Sequence, residues 1–312
     1  MILDPSQYGC SSKLPFNETL GLSRTNVGDM SRGDYSISLQ TGPYAHSIDR
    51  VFRCAEDWQV FADIAVNHAF GDVLVAGSMP LHAMFAFEFG PEADEAARRE
   101  ATSAFFKAAE GRSVQVGKCH SSVGPAPTSV TIAVCGTGPS IDAALPTEGI
   151  IYLSRPLGAF KMHFLREMGV TDSATATDVL TGRAYSRFCR STPWAALSDV
   201  SGDGLAGAIL SIAARSGIDA FITLGSTTAF APDVLNVEVE CLINPEKVYR
   251  DQPIEVSSTS ASLLMRLKET AGPFIGLLNT DQITPAQLER QGALVLGSYS
   301  KGTGKVRVEW QE

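Results

Sequence analysis

Hydrophobic and polar positions change period repeatedly along the chain, and the changes mark strands alternating with helices. Tyr35-Ser36-Ile37-Ser38-Leu39 alternates with a period of two, and the stretch 35–48, broken at Gly42-Pro43, reads as strand and turn. Phe61, Ile64, Ala65 and Ala69 recur at helical spacing behind a capping Asp57, which predicts a long helix that stops at Gly77. His82 to Phe89 is apolar enough for a buried strand. From Ala93 to Gly111 the pattern is that of an amphipathic helix, with Glu95, Arg98, Arg99 and Glu100 on its polar side and Phe105 and Phe106 on its apolar side. A further strand, Thr128 to Val134, runs out at Gly136-Thr137-Gly138.

A stretch rich in Pro and small residues, 138–149, separates this half from a new strand at Ile150 to Leu153, and the domain boundary is placed there. The second half continues through Arg155-Pro156-Leu157-Gly158 into a helix. A later helix, Gly204 to Arg215, carries Leu205, Ile209, Leu210 and Ile212 on one side. Strands are expected at Asn236–Leu242, Leu263–Leu267, Ile275–Leu278, Ala293–Gly297 and Val306–Trp310. Strands mixed with helices in both halves indicate two α+β domains, and there is no solenoid repeat.

Composition narrows the class. A chain of 312 residues with 44% hydrophobic and 19% charged residues has material for two ordered cores. Its net charge of −9 argues against a broad nucleic-acid footprint, while a small phosphorylated ligand needs only local cations and Mg²⁺. Met1-Ile2-Leu3-Asp4-Pro5 lacks the pattern of a secretory signal, and no run is long and apolar enough for a membrane span, so a cytoplasmic protein without a membrane partner is expected. The six cysteines are scattered without a Cys-x-x-Cys pair, which disfavours a zinc knuckle or a disulfide framework.

Three short segments carry candidate chemistry. Gly9-Cys10-Ser11-Ser12-Lys13 sets a soft nucleophile three positions from a cation able to neutralise a phosphoryl oxygen. In Asn67-His68-Ala69-Phe70-Gly71-Asp72, His68 and Asp72 are four apart and share a helix face next to Asn67; a solvated face would use the same residues. Ser198-Asp199-Val200-Ser201-Gly202-Asp203-Gly204 precedes a helix, where backbone amides can face an anion and Asp199 can hold a cation, or where Ser201 or Asp203 simply caps. His46, His82 and His163 have no metal-ligand spacing along the sequence and receive no role.

Together with Leu153-Ser154-Arg155-Pro156-Leu157-Gly158, these segments resemble selenophosphate synthetase (selenide, water dikinase), in the superfamily of aminoimidazole ribonucleotide synthetase, thiamine-monophosphate kinase and a hydrogenase-maturation dehydratase. The resemblance follows family order over nearly the whole chain. It implies a two-domain α+β fold of the aminoimidazole ribonucleotide synthetase type: a mobile catalytic segment 1–14, an ATP- and Mg²⁺-binding domain 15–148 whose sheet pairs with its twin in a homodimer, and a second domain 149–312. The implied reaction is ATP + selenide + water giving selenophosphate, AMP and phosphate. Cys10 and Lys13 would be catalytic, with Lys13 also on the nucleotide. Asp29, Asp49, Asp72 and Asp199 would hold Mg²⁺, and Asn67, His120, Ser121 and Gly202 would lie against the nucleotide.

The chain departs from the family pattern at several points. Gly28-Asp29 stands where the family has paired aspartates, Lys118-Cys119 replaces a double glycine before His120, and Ser201-Gly202-Asp203-Gly204 replaces Thr-Gly-Phe-Gly. Thr259-Ser260-Ala261-Ser262-Leu263-Leu264 stands for Thr-Ser-Gly-Gly-Leu-Leu. Fewer glycines beside phosphates narrow such a site, so another phosphate acceptor, or a nucleotide-binding partner without turnover, is an alternative. Retention of Cys10 and Lys13 together points to selenium chemistry.

Overall fold

Two sheets, each with helices laid against it, account for the architecture. The computed structural model describes residues 36–38, 44–138, 147–182, 194–236, 243, 254–278, 285–290 and 292–311. Cys10, Lys13 and Asp29 lie outside them. The first sheet has the order β1 (Ser36–Ser38), β2 (Tyr44–Phe52), β5 (Ser129–Thr137), β3 (Met79–Phe89), β4 (Gln115–Val123). All its pairs are antiparallel except β3 with β4, which are joined by the crossover helix α2 (Glu95–Glu110).

Alternation along the strands sorts the side chains by face. Ala45 and Val51 of β2, Ala83, Phe85, Phe87 and Phe89 of β3, and Val130, Ile132 and Val134 of β5 are buried beneath the helices. Phe105 of α2 closes this layer edge-on against Phe61, Phe85 and Phe87, with ring centroids 5.2, 5.6 and 5.1 Å away. Each such contact adds about 1 kcal/mol beyond the area it buries.

Helix α1 (Trp58–Val75) behaves differently. Asp57 caps it by accepting from the amides of Gln59 and Val60, and almost every residue along it is buried on every side. A helix apolar around its whole circumference must have neighbours all round. These are β2, β3, β5 and α2 of the first half, together with α4 (Ala174–Thr181) and β7 (Trp194–Asp199) of the second.

The second sheet has the order β7, β10 (Phe274–Leu278), β6 (Glu148–Leu153), β11 (Leu294–Lys301), β8 (Ile218–Gly225), β12 (Val306–Gln311), β9 (Ile254–Val256). Only β8–β12 and β12–β9 run parallel. Helix α5 (Gly204–Ser216) packs on β7, β8 and β12, and α7 (Thr259–Arg266) packs on α5. The short α6 (Asp233–Asn236) touches α3 (Ala159–Glu167), and α8 (Pro285–Glu289) precedes β11.

The strand expected at Leu263–Leu267 is instead helix α7. Ser258 caps it by accepting from the Ala261 amide, and Ala261, Leu264 and Met265 are buried at helical spacing. Of the strand expected at 236–242, Asn236 ends α6 and the rest lies outside the described residues. Strands β4, β7, β8 and β9 and helices α4, α6 and α8 are additions to the sequence reading. Among the described residues no helix is long and apolar enough to cross a membrane.

Helix α3 fastens the second half to the β2–α1 connection. His163 is fully buried; its Nε2–H donates to the Cys54 carbonyl at 2.8 Å, and its Nδ1 accepts from the Thr177 hydroxyl at 2.9 Å. Thr177 Oγ1 also accepts from Arg166, and Glu167 accepts from the Glu56 amide. Burial pushes the His163 pKa below its ordinary value of 6.5; the Cys54 bond and Glu167 oppose that shift and Arg166 adds to it.

The unfolded imidazole therefore takes up a proton near pH 6.5 while the folded one resists until lower pH. Between the two values the unfolded state binds more protons, so stability falls as pH falls. Burial raises the Glu269 carboxyl, which acts with the opposite sign. Thermal unfolding followed by circular dichroism from about pH 7.5 to about pH 5.5 should show a shallower loss of Tm in His163→Gln than in the parent. Equal slopes would remove His163 from the pH response.

Candidate functional site

The inner face of β2 presents Ala45, Ser47, Asp49 and Val51 to helix α1, placing two polar residues in an otherwise apolar layer. Helix α1 meets them with His68 and Asp72, one turn apart. The Ser47 hydroxyl donates to Asp72 Oδ2 at 2.5 Å and lies 3.4 Å from Asp49 Oδ2. His68 Nε2 stands 3.7 Å from Asp49 Oδ1. The His68 side chain is 2% exposed and that of Asp49 20%, so Asp49 is where this cluster opens to solvent. Asp72 is itself buried. Two carboxylates joined by one hydroxyl form a hard oxygen-donor site.

Asp199 ends β7, and that strand packs against α1 from the side of the second sheet. Among the described residues no three His, Cys, Asp or Glu side chains are close enough to hold a metal ion. Beyond Asp199 the loop Val200–Gly204 is buried. The Val200 amide donates to Pro273, and the Ser201 carbonyl accepts from the amides of Gly204 and Glu269. Gly204, at φ +67°, leads into α5 where a Cβ would lie 2.7 Å from the Met265 carbonyl and 2.8 Å from that of Leu267. Gly272 is more confined still, since its Cβ would meet the Val200 carbonyl at 1.8 Å. Gly202 thus sits in a loop clamped from two sides by the 265–273 segment.

Glu269, which the sequence reading passed over, organises that junction. It is fully buried and accepts from the amides of Gly158 at 2.5 Å and Phe160 at 3.3 Å, the first turn of α3, so the positive end of that helix holds a carboxylate of the same chain. Arg155 reaches the Ala271 carbonyl beside it. Burial raises the Glu269 pKa, against the pull of Arg155 and the two amides. The Leu153–Gly158 segment and the Ser198–Gly204 segment, recognised separately in sequence, are thereby fixed to one another.

Asn67 lies on another side of α1 from Asp72, five residues away. Its amide donates to the carbonyls of Leu180 at 2.6 Å and Gly182 at 3.2 Å, and its own oxygen accepts from Arg112 Nε at 2.8 Å. Arg112 also binds Asp63, Ala108 and the Thr181 carbonyl. Asn67 and Arg112 together collect the last carbonyls of α4, where a cation opposes the negative helix end. The Asp63–Asn67 spacing of four residues was the available sequence signal for this clamp.

His120 and Ser121, adjacent on β4, face opposite ways. His120 lines a shallow groove of about 190 Å³ on the outer face of the sheet with Ile48, Met84, Lys118, Thr131 and Ala133. Ser121 pairs in register with the inward-facing Phe87. The structure therefore gathers Asp49 and Asp72, sets Asp199 on the strand beyond α1, and separates Asn67 and His120 from that pair.

No protein-family model and no curated protein matches the chain. Solved structures do. A structure of AaThiL complexed with AMPPCP and TMP superposes with a TM-score of 0.70 at 12% identity, over 94% of this chain and 92% of that one. Thiamine monophosphate kinase from Aquifex aeolicus gives 0.68 at 13% identity over 94% of both chains. Hydrogenase maturation protein HypE in complex with ATP gives 0.62 at 18% identity, over 96% of this chain and 90% of that one. The fold is the aminoimidazole ribonucleotide synthetase-like α+β fold, with one sheet in each half.

Proposed function

We propose that this chain is an ATP-dependent phosphotransferase whose acceptor is selenide, giving selenophosphate, AMP and phosphate from ATP, selenide and water. The observation that carries the phosphoryl-transfer half is the Asp49–Ser47–Asp72 cluster on a fold shared with proteins solved with AMPPCP or ATP. Cys10 and Lys13 support the acceptor half.

The donor set fits Mg²⁺, a hard ion commonly held by one or two carboxylates plus substrate phosphates rather than by a closed protein cage. Asp49 and Asp72 supply that minimum, and Asp29 and Asp199 complete the set in this reading. Mg²⁺ bound there would neutralise triphosphate charge that otherwise repels an anionic acceptor. The chain's own groups do the positioning. Ser47 fixes one Asp72 oxygen, His68 backs Asp49, and the Glu269 junction holds the loop after Asp199. Selenide is ionised near neutral pH, so the attack needs no general base. Lys13, His120, Ser121 and Gly202 are the nucleotide contacts of the proposal, and Asn67, bound to Arg112 and the α4 carbonyls, is a positioning residue.

The thiamine monophosphate kinase likeness favours a second reading, phosphoryl transfer to another small molecule. ³¹P NMR of ATP with and without selenide separates the readings: selenide-dependent AMP and selenophosphate support the proposal, and transfer without selenium supports the second. Binding without turnover would leave a nucleotide-dependent partner protein.

The homodimer belongs to the same proposal. Ile48 and Met84, 69% and 52% exposed, stand side by side across Ala133 on the sheet face that no helix of the described residues covers. A second copy of that face would cover them. Light scattering at micromolar concentration should give twice the chain mass, and a monomeric mass would sink the pairing.

Asp72→Asn keeps an acceptor for Ser47 while removing charge. It should weaken Mg²⁺-ATP binding, measured by calorimetry, by roughly 10-fold or more with little change in Tm. Unchanged binding at all Mg²⁺ concentrations would exclude Asp72 from the site. Cys10→Ser and Lys13→Ala should each reduce selenide-dependent turnover by about 10² or more, the scale of a lost transition-state contact, with a much smaller effect on ATP affinity. Full activity in either variant would exclude that residue from catalysis.

A further inference from the structure

His46, Cys135 and His82 form one transverse row on the outer face of the first sheet. The register pairs Cys135 of β5 with His46 of β2 on one side and with His82 of β3 on the other. Their strand neighbours Ala45, Val134 and Ala83 are buried in the core, which turns all three toward the face that no helix of the described residues covers. There the two histidines are exposed and Cys135 is half-buried.

Two imidazoles flanking a thiol are a nitrogen–sulfur donor set, suited to Zn²⁺ rather than to the Mg²⁺ that the oxygen donors on the inner face would take. The next row along the sheet, Ile48, Ala133 and Met84, is apolar and would limit water beside such an ion. One chain does not complete the site. The two histidines stand about two strand spacings, ~9.6 Å, apart, and no three ligating side chains of the described residues are close enough together to hold a metal. Two sheets packed face to face lie about 10 Å apart, so their midplane is ~5 Å from each backbone, within reach of an imidazole nitrogen. Row against row then offers four imidazoles and two thiols, of which a tetrahedral ion takes four.

We propose a Zn²⁺ site shared between two copies of this chain, built from His46, Cys135 and His82 of each. The inference rests on the proposed pairing of the uncovered sheet faces. Burial raises the Cys135 pKa, so the thiol keeps its proton until the ion arrives; metal binding forms the sulfur–metal bond and releases that proton to solvent.

Co²⁺, titrated into the reduced full-length chain after chelation, is the probe. The expected result is a sulfur-to-cobalt charge-transfer band with tetrahedral d–d absorption, saturating at one ion per two chains in a particle of twice the chain mass, and displaced by Zn²⁺. Cys135→Ser and Cys135→Ala should abolish the band, and His46→Ala or His82→Ala should weaken binding about 10-fold or more. No band, or a band that survives both Cys135 variants, overturns the site. A dimeric mass without a band overturns the site and leaves the pairing of faces intact. One ion per monomeric chain overturns the sharing, and a monomeric mass without a band removes both proposals.

Discussion

The burial of helix α1 between the two halves is the constraint on which the rest of the structure depends. A helix with neighbours all round leaves no solvated side for polar residues, and α1 nevertheless carries Asn67, His68 and Asp72, all buried. A buried amide or carboxylate without partners costs several kcal/mol. The structure meets that demand in two directions. Toward β2, Ser47 serves Asp72 and Asp49 lies beside His68; toward α2 and α4, Arg112 and two terminal carbonyls hold Asn67. One helix thereby sets the carboxylates of the candidate site and ties the two halves of the chain together.

Strand β2 shows how a single alternation separates two chemistries. Its residues 46 to 49 read imidazole, hydroxyl, β-branched apolar chain and carboxylate. Because successive side chains point to opposite faces, Ser47 and Asp49 go to the buried oxygen cluster, whereas His46 and Ile48 go to the uncovered face. A one-residue slip of β2 would exchange the two sets and take Ser47 away from Asp72, so the register against β5 and the packing on α1 enforce each other.

What was legible in the sequence follows the same logic. Helices α1 and α2 and strands β3 and β5 announce themselves because one-sided or continuous burial imposes a period. Strand β4 is a mostly exposed edge, Gln115 to Val123, with no apolar rhythm to read. Strand β7 is buried throughout, so its Ser198-Asp199 end looked like the start of a polar loop. The apolar run at 263–267 is too short to distinguish strand from helix, and the Ser258 cap decides for α7. Asp72 was marked by its helical spacing to His68, whereas Asp49 and the metal-binding role of both came through resemblance alone. Ser47, which joins them, acts across 25 positions and leaves no local mark. Arg112 and Glu269 are similar cases, since each finds its partners only once the chain has folded.

Glu269 shows why the departures from the family pattern need not empty the site of order. Glycines give a loop backbone freedom, and several glycines of the pattern that the sequence resembles are replaced here. The chain retains glycine where two segments cross most closely, at Gly204 and Gly272, and there a side chain would strike the backbone of the opposing segment. Glu269 sits inside that crossing, its amide on Ser201 and its carboxylate on the first turn of α3. A carboxylate buried this completely is costly unless hydrogen-bonded, and breaking its bonds would release both the 153–158 segment and the loop after Asp199. The loop after Asp199 thus rests on a fixed polar anchor, which is the arrangement a preorganised site requires.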